Sequence, residues 1–403
     1  MPPTVPLLIL AGAPADSPVE QLVAGARDAA TLDTVERALT VPHMRPVVVS
    51  TSSPTLAEAL QGRPVHVELD PPGQPFHFGA RLRELVQRYR MDRVFYVGGG
   101  AAPLLTADRL ARIAAEIARA DALLISNNFY STDWCAFTPA STLDRITLPA
   151  TDNDLGWQLG EVAGLPNLSP PRCAATQLDI DTPYDLLTLA LHPDVGPRTR
   201  AYLDAADLDT SRVTAVLPLL TDRQAEVVVA GRVSSAIWAY LESETACRVR
   251  VFSEERGMRA SGRQARGEAR TVLGYLLDAV GLDGLFEALA RLGQAVFLDS
   301  RVLFAHRGAR QGRWPSASDR FNSDLYRLDD IRDPWVREFT AAAQRAPVPV
   351  LLGGHSLVAG GFYALVEAAW AQGRDLRAHV SPAPWDWDRL GNEIPGTVEV
   401  PGI

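Results

Sequence analysis

Short apolar runs alternating with stretches of helical periodicity constrain this chain more than any other feature. Runs at residues 5–10, 46–50, 65–69, 93–97 and 122–126 read as strands, with helices over 30–39, 55–60, 80–89 and Ala107–Arg119 between them. That alternation predicts an α/β fold, a mostly parallel sheet with helices on both faces. The clearest unit is the run 93–97, then Gly98-Gly99-Gly100-Ala101-Ala102-Pro103, then a helix whose Leu110, Ile113, Ala114 and Ile117 recur at helical spacing. Ligands of open α/β sheets sit in loops at the carboxyl ends of strands, so this crossing is read as ligand-facing. The competing reading is that its glycines only let strand and helix pack closely.

Two further stretches of this half carry polar chemistry. Asn127, Asn128, Ser131 and Asp133 follow a strand, where side chains could read a base or a ribose; they are also ordinary turn-formers. His77, between Phe76 and Phe78, suits either a stacked purine or the edge of a core.

A length of 403 residues favours two or three domains. The Pro and Gly cluster His192-Pro193-Asp194-Val195-Gly196-Pro197 predicts a boundary there, giving units 1–195 and 196–403. A net charge of -9 argues against a nucleic-acid partner, which would need a basic face. No apolar run reaches the ~18 residues of a membrane span, and the first residues lack the basic flank of a signal peptide. Three well-separated cysteines, Cys135, Cys173 and Cys247, point to reduced thiols and a cytoplasmic protein. The basic residues are all arginine; lysine does not occur. This excludes a Walker phosphate loop, a pyridoxal Schiff base and a lysine nucleophile. A bound phosphate would have to be held by arginine forks, backbone amides or metal. Oligomeric state is left open.

The second half also alternates. Strands are predicted over 213–219, 225–230, 248–252, 295–298, 302–305 and 348–352. Helices are expected over 198–205, 236–242, 269–292 (broken at Gly281-Leu282-Asp283-Gly284), 333–346 and 361–370. Its polar residues concentrate at Asp299 and Arg301, His306, Asp319 and Arg320, and Gly353-Gly354-His355-Ser356. A glycine-rich loop after a strand, with arginines nearby, suits a phosphate or carboxylate; the alternative is a set of solvated loops with ordinary ion pairs. Ser356 departs from a nucleophile elbow, because Val358 stands where glycine is needed, and the later His379 and Asp375 crowd close behind it. No Asp-x-His string accompanies Gly-Gly-His-Ser, and no HExxH-type pair marks a zinc site.

The string Leu178-Asp179-Ile180-Asp181-Thr182-Pro183-Tyr184-Asp185-Leu186 resembles the closing motif of cofactor-modifying nucleotidyltransferases. These include molybdenum-cofactor guanylyltransferase-like proteins and phospholactate guanylyltransferases. The stretch around Pro103 is similar to their central Gly-Asp-x-Pro-Leu motif, and Leu8-Ile9-Leu10-Ala11-Gly12 to their opening glycine loop. Residues 151–157 lie where such proteins carry a substrate-side segment. The resemblance, over residues 5–195, implies a three-layer α/β/α nucleotide-diphospho-sugar-transferase-like domain; the alternation beyond it predicts a second α/β domain. It further implies Mg2+ held by Asp179 or Asp181 and transfer of a nucleotidyl group from a nucleoside triphosphate to a phosphorylated acceptor. Ala11, Gly12, Gly98, Gly99 and Gly100 would face the nucleotide, and Asn127, Asn128 and Asp133 the acceptor or sugar. Two departures stand out. Ala101 occupies the place of a metal-binding aspartate, and the opening loop lacks its second glycine and its cation. Asp179 and Asp181 are two apart on one expected strand, so only one would face a given side. The alternatives are a catalytically silent nucleotide- or sugar-phosphate-binding sensor, and a C-terminal hydrolase or phosphatase.

Overall fold

The computed structural model describes residues 3–12, 15–70, 75–258, 261–311 and 314–372. The predicted turn at Ala13-Pro14, and His379 and Asp375, lie outside them. The first half builds a seven-stranded sheet from β1 (Leu7–Ala11), β2 (Val47–Thr51), β3 (His66–Leu69), β4 (Val94–Gly98), β5 (Leu123–Ser126), β6 (Trp134–Thr138) and β7 (Asn167–Leu168), in the order β3-β2-β1-β4-β6-β5-β7. Its pairings are parallel except around β6, which runs antiparallel to both β4 and β5.

Strand periodicity sorts the side chains into two layers of core. Leu7, Ile9, Phe95 and Val97 pack on Val35 and Ala38 of the helix Pro18–Thr40 and on Leu110, Ile113 and Ile117 of the helix Ala107–Arg119. Leu8, Val94 and Tyr96 face the other way, onto Leu82 and Leu85 of the helix Phe78–Arg88. With both faces covered, the central strands β1 and β4 are apolar, whereas the edge strand β3 carries His66 and Glu68 and is largely exposed. The expected three-layer α/β/α domain is what forms.

The second sheet has the order β11-β10-β8-β9, all parallel, from β8 (Glu226–Gly231), β9 (Arg248–Ser253), β10 (Ala295–Asp299) and β11 (Val350–Gly353). One face, Val227, Val229, Phe297 and Leu351, shares an apolar cluster with Val23 and Ala26 of the helix Pro18–Thr40 and with Leu186 and Leu189 of Pro183–Leu191. Leu217 of Ser211–Leu220 and Phe362 of Gly360–Gln372 complete it, so helices from both halves fill one interior.

Two expected strands are corrected to helix. Residues 213–219 belong to the helix Ser211–Leu220, and 302–305 to Arg301–Gln311. Both are apolar runs too short for periodicity to separate strand from buried helix. The polar stretch after Ser316 is the helix Ala317–Asp324, capped by that serine. The predicted break at Gly281 is present, with φ 74°. Among the described residues no helix is long and apolar enough to cross a membrane.

Candidate active site

The carboxyl ends of β1, β2 and β4 open into a cavity of about 1360 Å3. Gly98 and Gly99 line it, but their amides are not free to cradle a ligand. Gly98 N donates to Asp133 O (2.9 Å), Gly99 N to Leu10 O (2.8 Å), and the Ala101 and Ala102 amides to Gly98 O and Leu178 O (3.0 Å each). A Cβ on Gly99 would stand 2.7 Å from Ala11 Cα, so the glycine lets this loop lie directly on β1. Close packing, offered above as the competing reading, accounts for Gly99, while the loop surface still faces the cavity.

On that surface lies the acidic corner. Asp179 forms a single antiparallel bridge with Ala101, and Ile180 N donates to Gly100 O (3.3 Å). The chain then turns at once into the helix Pro183–Leu191. The expectation that Asp179 and Asp181 share a strand and face opposite ways is therefore corrected. The strand geometry lasts one residue, and both carboxylates line the cavity. Asp181 is held through its backbone: Asp185 Oδ2 accepts from Asp181 N (2.9 Å) and Thr182 N (2.7 Å). Asp185 Oδ1 in turn accepts from Ser356 Oγ (2.5 Å) of the second half.

Arg27, from the middle of the helix Pro18–Thr40, reaches this corner. Its Nε donates to Ile180 O (2.5 Å), and its Nη2 lies 3.4 Å from Asp181 Oδ1. Two more carboxylates close in from the opposite wall. Asp133 accepts from Asn127 Nδ2 (2.7 Å), and Asp152 from Tyr96 Oη (3.2 Å). Desolvation, then the charge of Asp181, pushes the Asp133 carboxyl up to about 7. The same two causes lift Asp179 well above the usual range, and burial raises Asp152. Arg27 opposes the rise at Asp179 without reversing it.

The far wall, near β2 and β3, is different. Arg81 is nearly buried there, donating through Nε to Ser50 Oγ and through Nη1 to Glu84 (2.9 Å each), while its Nη2 has no hydrogen-bond partner. Asp70, His77 and Phe76, the last 57% exposed, line the same end. His77 caps the helix Phe78–Arg88 through Nδ1, and Phe78 belongs to the core against Tyr96. Phe78 thus serves the core and the cavity wall together, while Phe76 stands exposed in the cavity.

Of the residues singled out in the first half, Ala11, Gly12, Gly98, Gly99, Asp133, Asp179 and Asp181 line this one cavity. Gly100, Asn127 and Asn128 are not among its walls. Asn127 is buried behind Asp133, its Oδ1 accepting from the amides of Asp133 and Trp134, and Asn128 Oδ1 caps Tyr130 N. Arg27 and Arg81 were invisible to the sequence reading, because nothing local marks an arginine whose target lies far along the chain.

The seven residues of the second half do not form one site. Asp299 is buried against Arg232 (2.6 Å to Nε), with His355 in the field of both. Arg301 grips Asp324 through both Nη atoms (2.6 Å each). His306 pairs with Asp278 (2.8 Å), Asp319 accepts from Ser316 Oγ and Arg332 N, and Arg320 donates to Pro315 O. Ser356 is committed to a carboxylate, with no histidine in between.

Among the described residues no three His, Cys, Asp or Glu side chains are grouped to hold a metal ion by themselves. Mg2+ is ordinarily bound by one or two carboxylates with waters and substrate phosphates completing six. Asp179 and Asp181 fit that lesser demand.

No family model matches this chain, and no curated protein matches it. A protein from Desulfovibrio desulfuricans G20 assigned as a nucleotide-diphospho-sugar transferase aligns at 15% identity over 51% of this chain and 99% of its own, with a TM-score of 0.36. A cytidylyltransferase from Leptospira borgpetersenii aligns at 18% identity, over 50% and 92%, with a TM-score of 0.37. A CMP:2-keto-3-deoxy-manno-octonic acid synthetase complexed with CTP aligns at 12%, over 41% and 89%, with a TM-score of 0.29.

Proposed function

We propose that this protein is a nucleotidyltransferase of the kind its closing motif resembles, akin to the molybdenum-cofactor and phospholactate guanylyltransferases. It would move a nucleotidyl group from a nucleoside triphosphate to a phosphorylated acceptor. One observation carries the reading: Asp179, Asp181 and Arg27 meet at the mouth of the Gly98–Gly99 loop, inside a cavity large enough for a nucleotide. An acceptor phosphate oxygen attacks the α-phosphorus, the bond to the bridging oxygen of the β-phosphate breaks, and pyrophosphate departs with that electron pair. Such chemistry is mostly charge management. Asp179 and Asp181 would hold Mg2+, which supplies Lewis-acid neutralisation of the phosphate oxygens. Arg27 replaces the cation missing from the opening loop and steadies the departing charge. Phe76 offers a stacking face at the far wall.

Pyrophosphate release from a panel of nucleoside triphosphates with Mg2+ and phosphorylated acceptors tests this. Asp181→Ala should abolish it. A silent binding protein is the second reading, favoured by Ala101 at the expected carboxylate and by the raised Asp133 and Asp179. It predicts a nucleotide-induced thermal shift with no turnover under any divalent metal.

A further inference from the structure

The second sheet has a topological switch point. From β8 the chain crosses to β9 on one side, and from β9 back to β10 on the other, so the carboxyl ends of β8 and β10 flank the position where open α/β sheets form their ligand crevice. Two chain segments reach this crevice. Arg232 leaves β8 there and is fixed by Asp299, which ends β10 and takes its Nε (2.6 Å) and Nη2 (3.1 Å). Glu254 N donates to Gly231 O (2.7 Å), which brings the segment carrying Arg256 across the same strand end. Among the described residues Arg256 makes no hydrogen bond or ion pair, although burial and the charges of Arg172 and Arg232 press on it. His355, one turn beyond β11, likewise has no hydrogen-bond partner among them. Burial and the neighbouring Arg232 hold its imidazole down to about 4, so it is neutral at pH 7.

Arg172 and Arg232 both lie near enough to Arg256 to act on it, and among the described residues only Arg232 of the three pairs with a carboxylate, the buried Asp299. Both Arg232 and His355 stand close enough to Asp181 to feel its charge.

We propose that this crevice is an anion subsite, in which Arg232 and Arg256 take a phosphate or carboxylate group and His355 supplies one hydrogen bond. Its assignment to the acceptor rests on the transfer reading; the anion site itself does not. Arginine suits the task, because its planar fork meets both anions with paired hydrogen bonds. The crevice and the acidic corner are tied mechanically as well, through Ser356, next to His355, and its bond to Asp185.

The test titrates the full chain with inorganic phosphate and, separately, with malonate, by calorimetry and thermal shift. Mg2+–nucleoside triphosphate binding is measured on the same samples. Arg256→Gln, at an unpaired position, should fold with an unchanged Tm and bind the anion about tenfold or more weakly. Arg27→Gln, in the other cavity, should bind it within about twofold of wild type. Dependence on Arg256 supports the subsite, and the stronger of the two anions names its class. Equal binding by wild type and Arg256→Gln, absence of binding by wild type, or loss with Arg27→Gln alone overturns it. Anion binding through Arg256 without triphosphate binding keeps the subsite and overturns the transfer reading.

Discussion

Asp133 and Asp185 are buried carboxyls whose settings push them up to about 7, desolvation being the largest cause in both. The sign of the consequence is fixed by linkage. Each contributes stability that is fully present below the unfolded value, 3.8, and lost as pH rises through about 7. His355 works the other way: its contribution is present above 6.5 and lost as pH falls through about 4. Asp152 and Asp179 shift in the same direction as Asp133, so the carboxyls outweigh the one histidine. Thermal melts in metal-free buffer should therefore show Tm falling from pH 5 to pH 8, with a shallower slope in Asp133→Asn. A Tm that rises over that interval would contradict this assignment. At this scale the sequence was partly legible. Asp179 and Asp181 stand in a recognisable string, whereas Arg27 reaches Asp181 from 154 positions away, and no local pattern encodes that approach.

Elements were legible where length or punctuation was decisive. The helix Ala107–Arg119 has a capping threonine and a full apolar stripe, and its bounds are those expected. The strand β6 was missed because Trp134–Thr138 follows directly on a polar turn and pairs antiparallel, a partner choice that alternation of strand and helix does not suggest. Residues 213–219 mislead because Val213, Val216 and Leu217 fit a short strand as well as a buried helical face, and Pro218 sits in the last turn, where a helix tolerates it. The loop after β4 gives a sharper test. Its Gly99 admits no side chain, since the nearest atoms are the backbone and Cβ of Ala11 on the neighbouring strand. Gly99→Ala should cost about 1–3 kcal/mol by overpacking, read from denaturant unfolding. A neutral result would mean that the loop does not lie on β1.

The two halves are one packing unit at the level of the whole molecule. Val23 and Ala26 from the first share a cluster with Val227 and Phe297 from the second, and the Ser356–Asp185 bond crosses between them. Calorimetry should accordingly show a single unfolding transition; two resolved peaks would mean that the shared cluster is not a shared core. Ser356→Ala leaves a buried carboxylate short of a donor and should cost about 1.5–3 kcal/mol in the same experiment. This junction was beyond the sequence reading, which placed a boundary at the Pro and Gly cluster near residue 195. Turn residues mark where a chain bends, not which faces it later brings together. The central claim is that the acidic corner and Arg27 receive a metal-bound triphosphate. Calorimetric titration of the full chain with nucleoside triphosphates tests it most directly, in the presence and absence of Mg2+, for wild type and Asp181→Ala. Binding that requires both Mg2+ and Asp181 is the predicted result; binding indifferent to either, or none at all, would contradict the account.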